Sequence, residues 1–360
     1  MIKQAFLTLE NGMVFKGERF GYEADAEGEL VFTTAMTGYL ETLTDPSYYG
    51  QIVMQTFPLI GNYGVIPADF ESDKPQLKAY IVRDYCDKPS NFRSEGVLDN
   101  YLKESKIPGL CNVDTRALTR IVREHGVMNA KISSNPLSDK EIEQLKLYRI
   151  KNAVESVSCV KTEIYNEKQG QKRVVLWDLG AKENILRELQ KRNFTVICVP
   201  YNTTAEEIVS FKPDGIMLSN GPGDPAENTA VIEQIRKLME YKIPTFGICL
   251  GHQLLALSQG GKTQKLKYGH RGANQPVVDT ETKRVFVTSQ NHGYAVVSES
   301  LPEYAHVRFV NGNDGTCEGV VYDNMPAFST QYHPEASAGP LDTCYLFDDF
   351  VSLINKGGAK

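Results

Sequence analysis

Paired cysteines and long apolar runs are both missing from this 360-residue sequence. Its seven cysteines are odd in number, and no two of them have CxxC spacing. This pattern disfavours a disulfide scaffold or a structural zinc site and is typical of a reducing compartment. No apolar stretch approaches the roughly 20 residues that a membrane helix needs, and the N-terminus lacks the basic start of a signal peptide. We therefore expect a cytoplasmic protein that does not associate with a membrane.

An excess of positive charge is missing as well. Lysine and arginine total 39 against 45 aspartate and glutamate residues, which gives a formal net charge of -6. Binding to a phosphate backbone needs clustered basic side chains, so this balance disfavours nucleic acid as a main ligand. Apolar residues make up 41% of the chain, enough for sizeable cores, and the length suits two domains.

The first part of the chain contains short strands and turns, followed by some helix. Phe6–Leu9 alternates like a strand and is followed by Asn11-Gly12, a hairpin-turn signal. Further on, 117–124 has a helical pattern. We predict a mixed α/β domain over residues 1–150. Residues 151–171 become polar and end near a glycine, and we predict a domain linker there.

From residue 172 to residue 360 the pattern changes to alternating strands and helices. The predicted strands are short and almost continuously apolar, as in 174–177, 194–199, 214–218 and 243–248. This alternation predicts an α/β domain with a mostly parallel sheet flanked by helices. Ligands in such domains bind at the carboxyl ends of the strands.

One cysteine follows such a strand directly. Cys249 is the centre of a Gly-x-Cys-x-Gly pattern between Gly247 and Gly251, the spacing of a nucleophile elbow. The sharp turn requires small neighbours, and the N-terminus of the following helix favours a thiolate. The N–H group of Leu250 could help to hold an oxyanion. A buried structural cysteine explains this segment alone equally well.

A second segment offers the imidazole and carboxylate that a thiol nucleophile needs. His333-Pro334-Glu335 follows a predicted strand, and an extended chain would place Glu335 on the same side as His333. Alone, this segment could be a surface loop. The chain order of Cys249, His333 and Glu335 is that of α/β-hydrolase triads, and we predict that these residues form a catalytic triad.

Two glycine-rich segments need a choice between interpretations. Ser219–Pro225 runs from a strand into glycines and suits an anion cradle, although 221–226 also matches the dinucleotide pattern G-x-G-x-x-A. That match follows the third strand of its domain, which disfavours the dinucleotide interpretation. Residues 256–263 loosely match a phosphate-binding loop, but a helix precedes them, so a helix C-terminus fits better. We expect no ATP site in this chain.

Taken together, several segments resemble one known family. They are Ser219–Pro225, Phe246–Ala256, Ser289–Ala295 and Gln331–Ala336, with Met36–Tyr39, Leu43–Tyr48 and Asp114–Arg116 in the first domain. The first four resemble the class I (triad) glutamine amidotransferases and, more closely, the small subunits of carbamoyl phosphate synthetases. The last three resemble the N-terminal domain of those small subunits, which other amidotransferases lack.

The resemblance implies roles for particular residues. Cys249 would attack the side-chain carboxamide of L-glutamine, His333 would protonate the departing ammonia and then activate water, and Glu335 would orient His333. Backbone N–H groups of Gly221 and Leu250 would hold the oxyanion. The positions that match the glutamine-binding residues of the family are Ser47, Gly221, Gly223, Leu250, Gln253, Asn291, Gly293 and Tyr294. His252 and His292 belong to the matching segments and are expected to be supportive.

The resemblance also implies a partner. A large synthetase subunit would receive the ammonia through an internal tunnel and use ATP and Mg²⁺ to make carbamoyl phosphate from bicarbonate, for pyrimidine and arginine synthesis. This chain would bind no cofactor or metal itself. The alternatives are a glutaminase subunit of another pathway, a catalytically inert partner-binding subunit and a cysteine peptidase. The 36–48 segment argues against the first, and the intact triad argues against the second.

Overall fold

The computed structural model describes residues 3–336 and 338–357. Internal contacts divide the chain into two compact units, Met1–Lys151 and Asn152–Lys360. In the described part of the chain, no helix combines the length and the apolar character needed to cross a membrane.

The first unit is built on a closed sheet. Seven of its strands pair in the order β1-β2-β8-β6-β4-β3-β9 and close on themselves, and β5 pairs with β7 separately. The elements are β1 Gln4–Leu9, β2 Val14–Gly21, β3 Ala26–Thr33, α1 Tyr39–Thr44, β4 Gln51–Gln55, β5 Leu59–Ile60, β6 Ala79–Ile81, β7 Asp84–Tyr85, α2 Leu98–Glu104, β8 Pro108–Cys111, α3 Thr115–His125, β9 Met128–Ser133 and α4 Asp139–Leu145.

The local signals of the first unit match its elements in two places. Strands β1 and β2 form the antiparallel hairpin predicted around Asn11-Gly12. Helix α3 contains the predicted 117–124 segment and begins after Asp114, whose carboxylate accepts a hydrogen bond from Ala117 N at 3.0 Å. Both predictions are confirmed. Their determinants, a turn dipeptide and a capping side chain, are local in sequence.

The second unit is built on one large sheet. Its ten strands lie in the order β10-β12-β11-β13-β14-β19-β18-β17-β15-β16. The elements are α5 Ala153–Val157, β10 Glu163–Tyr165, β11 Arg173–Trp177, α6 Glu183–Lys191, β12 Thr195–Val199, α7 Ala205–Ser210, β13 Gly215–Leu218, α8 Thr229–Met239, β14 Thr245–Ile248, α9 Leu250–Ser258, β15 Thr263–Asp279, β16 Val285–Val296, β17 Ala305–Asn311, β18 Cys317–Tyr322, β19 Ala327–Thr330 and α10 Leu346–Gly357.

This sheet has a parallel part and an antiparallel part. Strands β12, β11, β13, β14 and β19 run parallel to one another. Strands β18, β17, β15 and β16 continue the sheet in antiparallel pairs, and β10 pairs antiparallel with β12 at the other edge. The parallel part corresponds to the predicted α/β pattern, and the antiparallel part comes from the strand-rich chain after residue 261.

Almost all of the segment predicted as a linker, 151–171, belongs to the second unit, which begins at Asn152. It contains helix α5 and strand β10, and β10 pairs with β12. An edge strand is hydrogen-bonded on one side only and faces solvent on the other, so it can be polar without leaving the sheet. Polar composition here marks a sheet edge followed by a turn, and the ordered second unit begins earlier than the predicted boundary at residue 172.

Alternate residues of the central parallel strands pack into two separate cores. Trp177 and Leu218 belong to the core that includes the buried side chains of α9, whereas Leu176 and Met217 belong to the core that includes those of α10. Helices therefore cover both faces of the parallel strands, which explains why those strands are apolar on both sides. This arrangement leaves the carboxyl ends of the strands as the edge where polar side chains gather.

Candidate active site

Cys249 occupies the sharp turn that joins β14 to α9. Its backbone has φ 52° and ψ -100°, and its N–H group donates a hydrogen bond to Thr330 O at 2.8 Å. A Cβ atom on Gly251 would lie 2.3 Å from Leu218 O, so only glycine fits there. The segment therefore has the geometry of a nucleophile elbow, with a strained backbone at the residue that carries the thiol.

His333 and Glu335 form a buried pair beside this elbow. His333 Nδ1 lies 2.7 Å from Glu335 Oε1, and both side chains are almost completely buried. Strand β19 ends at Thr330, and Pro334 and Glu335 lie in a turn instead of the extended chain expected from the sequence. The turn, which the fixed φ of proline suits, brings the carboxylate back to the ring. The His333 N–H group donates to Ser289 O at 2.9 Å and so anchors the turn to β16.

Electrostatic interactions set the charge of this pair. Burial and the nearby ammonium of Lys182 would lower the pKa of His333, yet Glu335 and Cys249 raise that pKa to about 9. Burial would raise the pKa of Glu335, but His333 and Lys182 hold it below its ordinary value. His333 Nε2 is buried, and no hydrogen-bond partner for it is found among the residues that the structure describes. This nitrogen is free to exchange a proton with a reacting group.

Lys182 is a site residue that the sequence did not reveal. It follows β11, and its Nζ lies 3.6 Å from Glu335 Oε1, with the lysine side chain only 10% exposed. The Lys182 N–H group donates to the side chain of Asn220 at 3.0 Å, and Asn220 in turn donates to Gly180 O at 2.9 Å. The only sequence signal was its place just after a parallel strand, at the edge where ligands bind.

Gly221 and Leu250, the predicted oxyanion residues, lie side by side. A Cβ atom on Gly221 would be 2.1 Å from Leu179 O and 2.7 Å from the Leu250 side chain. The loop after β13 can therefore approach the start of α9 only because this residue is glycine. Gly223 lies two residues further along the same loop with φ +91°.

Other predicted residues surround the thiol from α9 and β16. Gln253 Nε2 donates to Tyr294 O at 2.8 Å, and Cys249 Sγ lies 3.7 Å from Asn291 O. Gly293 lies between Asn291 and Tyr294 on the same strand. These four predicted residues are thus brought together at the elbow.

Ser47 lies in the first unit, in the turn formed by Pro46–Tyr48 after helix α1. Its N–H group donates to Asp45 Oδ1 at 2.9 Å, and the residue is buried. Its proposed part in glutamine binding remains a prediction.

His252 in helix α9 and His292 in strand β16 are both buried histidines. His252 Nδ1 lies 2.8 Å from Ser329 Oγ, and burial lowers the pKa of His252 to about 3. His292 Nδ1 lies 2.7 Å from Tyr294 O, and burial together with His270 lowers the pKa of His292 well below its ordinary value. Both rings are therefore neutral near pH 7. His252 links helix α9 to strand β19, whereas His292 bonds to residues of its own strand, β16.

One glycine-rich segment and two side-chain groups bear on cofactor or metal binding. Residues 256–263 run from helix α9 into strand β15, the reverse of a phosphate-binding loop. Two groups of potential metal ligands have their donor atoms within 4.8 Å of one another, namely Cys159, Asp178 and Cys198, and His270, His292 and Glu318. In the second group His270 already faces two carboxylates, Asp314 at 2.9 Å and Glu318 at 3.4 Å.

Comparisons with known proteins identify the family. Residues 175–353 match the model of class-I glutamine amidotransferases, and residues 7–132 match the CPSase domain of the carbamoyl-phosphate synthase small chain. The chain is 53% identical to a carbamoyl phosphate synthase small chain of Bacillus cereus, over 97% of this chain and 95% of that protein. The small chain of Bacillus caldolyticus is 50% identical, over 98% of this chain and 97% of that protein. The chain therefore belongs to the carbamoyl phosphate synthase small chain family, with a class I glutamine amidotransferase domain in its second unit.

Proposed function

We propose that this chain is the glutamine-hydrolysing subunit of a carbamoyl phosphate synthase and that Cys249 is its nucleophile. The observation that carries the proposal is the elbow at Cys249 beside the buried His333–Glu335 pair. A thiol at a helix N-terminus, an imidazole coupled to it and a carboxylate on the other ring nitrogen are the groups that amide hydrolysis by a cysteine requires.

The first half of the reaction forms a thioester. The thiol proton passes to His333 Nε2, and the sulfur attacks the side-chain carboxamide carbon of glutamine. The N–H groups of Gly221 and Leu250 hold the negative oxygen of the tetrahedral intermediate, since both segments meet beside the thiol. His333 then gives its proton to the departing nitrogen, which leaves as ammonia.

The second half releases glutamate. His333 takes a proton from water, the hydroxide attacks the thioester carbon, and the carbon–sulfur bond breaks to return Cys249. Glu335 keeps the proton of His333 on Nδ1, so that Nε2 faces the reacting groups in both halves. The raised pKa of His333 favours the imidazolium, the form that holds the proton taken from the thiol.

Substrate binding is assigned to the residues that line the elbow. Gln253, Asn291, Gly293 and Tyr294 come from α9 and β16 beside the thiol. Gly223 completes the proposed set within the second unit, and the part proposed for Ser47 rests on the family resemblance alone. No cofactor or metal takes part in these steps, because the cysteine, imidazole and backbone N–H groups supply all the chemistry.

The ammonia is passed to a large synthetase subunit that uses ATP and Mg²⁺ to form carbamoyl phosphate from bicarbonate in the cytoplasm. The match of residues 7–132 to the CPSase domain of the carbamoyl-phosphate synthase small chain supports this partner. The product would serve pyrimidine and arginine synthesis. The presence of seven free cysteines is compatible with the reducing conditions of the cytoplasm.

The decisive experiment compares glutamine and ammonia as nitrogen donors for the chain co-purified with a large subunit of the family. Cys249→Ser should abolish glutamine hydrolysis and glutamine-dependent carbamoyl phosphate formation, while ammonia-dependent formation continues. Cys86→Ser, in the first unit, is the matched control and should change neither. Unchanged glutaminase activity in Cys249→Ser would refute the assignment of the nucleophile. Glutaminase without carbamoyl phosphate formation in the mixture would refute the partner.

A further inference from the structure

The side chain of Gln331 contacts the sulfur of Cys249. Gln331 is completely buried, just beyond the end of β19. Its Nε2 lies 3.6 Å from Cys249 Sγ, and its Oε1 accepts a hydrogen bond from Gln253 Nε2 at 2.9 Å. The mechanism above assigns this side chain no role.

The orientation of the Gln331 amide is fixed by its neighbours. Gln253 Nε2 also faces Tyr294 O, a backbone carbonyl that can only accept a hydrogen bond. The nitrogen of the Gln253 amide must therefore be at that end, and it donates its second proton to Gln331 Oε1. This leaves the Gln331 nitrogen, and not its oxygen, pointing at the sulfur.

The two groups around the sulfur respond in opposite ways when the thiol ionises. The Asn291 carbonyl, 3.7 Å from Sγ, accepts a hydrogen bond from the neutral thiol and repels a thiolate. The Gln331 N–H group can donate to either form, and a hydrogen bond to a charged acceptor is the stronger one. After the proton has moved to His333, the Gln331 N–H group still faces the sulfur and can donate to it.

We infer that Gln331 is a further residue of the catalytic site, whose amide N–H stabilises the thiolate of Cys249 while Gln253 holds that amide in place. This inference rests on the proposed function of Cys249 as the nucleophile. It also links a proposed substrate-binding residue, Gln253, to the reacting sulfur through one hydrogen bond.

The test measures the pH dependence of Cys249 alkylation by iodoacetamide, with the labelled cysteine identified by peptide mass spectrometry. Gln331→Met keeps the length of the side chain but removes the donor, so the midpoint should move up by about one pH unit, a tenfold smaller thiolate-to-thiol ratio at a given pH. Gln331→Glu can still accept from Gln253 but places a carboxylate at the sulfur, so its midpoint should rise further. The same alkylation midpoint in the unmodified protein, Gln331→Met and Gln331→Glu would overturn the inference.

Two controls separate this effect from damage to the fold. Gln55→Met removes another buried amide, which donates to Ala35 O in the first unit, and should leave the Cys249 midpoint unchanged. Labelling of the buried Cys317 in the same digest reports unfolding. If Gln331→Met proves unfolded by that measure, Gln253→Leu serves instead, because it keeps Gln331 but removes the hydrogen bond that orients its amide. The alkylation midpoint of Cys249 should then also rise. No rise in that variant would overturn the inference.

Alkylation needs no glutamine, so the two proposals fail separately. A Cys249→Ser protein that still hydrolyses glutamine would refute the proposed function. An unchanged alkylation midpoint would refute only the part assigned to Gln331.

Discussion

Replacing Glu335 by glutamine is expected to remove the charge that keeps His333 protonated. The rise of the His333 pKa from its ordinary 6.5 to about 9 corresponds to about 3 kcal/mol in favour of the imidazolium. This contribution to stability is fully present below pH 6.5 and is lost as the pH rises through 9. In Glu335→Gln, burial and Lys182 still oppose the imidazolium while Cys249 still favours it, so the His333 midpoint should fall well below 9.

The assay is a pH titration of histidine ring resonances by NMR, with His333 assigned from a His333→Asn protein. Glu318→Gln is the matched control, because Glu318 is also fully buried but pairs with His270. It should move the His270 midpoint and leave that of His333 in place. A His333 midpoint that stays near 9 in Glu335→Gln would contradict the electrostatic argument.

Three further outcomes are expected. Lys182→Met removes a charge that opposes the imidazolium, so the NMR midpoint of His333 should rise above that of the unmodified protein. Gly251→Ala places a Cβ atom 2.3 Å from a backbone oxygen and should lower the melting temperature and abolish glutaminase activity, whereas Gly96→Ala, with its nearest neighbour at 3.7 Å, should preserve both. Trp177, the single tryptophan, is fully buried in the second unit, so its fluorescence should shift to the red when that unit unfolds in denaturant; no shift would contradict its placement.

The parts of the site that the sequence predicted have local determinants. The elbow depends on glycines two residues either side of Cys249, and the ring and carboxylate of His333 and Glu335 are two residues apart. Each can be recognised within one short segment, because the required geometry is set by neighbours in the chain. The alternating strands and helices of the second unit could also be predicted, because the apolar pattern of each element is local in sequence.

The parts that were missed depend on distant contacts. Lys182 reaches Glu335 only because β11 and β19 end at the same edge of the sheet, and neither local pattern indicates that pairing. Gln331 was within a recognised segment, but its contact with Cys249 depends on packing between residues far apart in the chain. Strand β10, inside the predicted linker, depends on a distant contact as well, since only its pairing with β12 shows that it is an edge strand.

The insertion of β19 between β14 and β18 has a consequence for synthesis of the protein. The elbow at Cys249 donates its backbone N–H group to Thr330, a residue made 81 positions later, on the last strand of the sheet to leave the ribosome. The base that Cys249 needs follows three residues after that. A nascent or prematurely terminated chain that ends before β19 therefore carries the thiol without its base and with an unfinished turn. Such fragments should be unable to hydrolyse glutamine. During refolding, glutaminase activity should return no earlier than the pairing of β19 with β14 and β18.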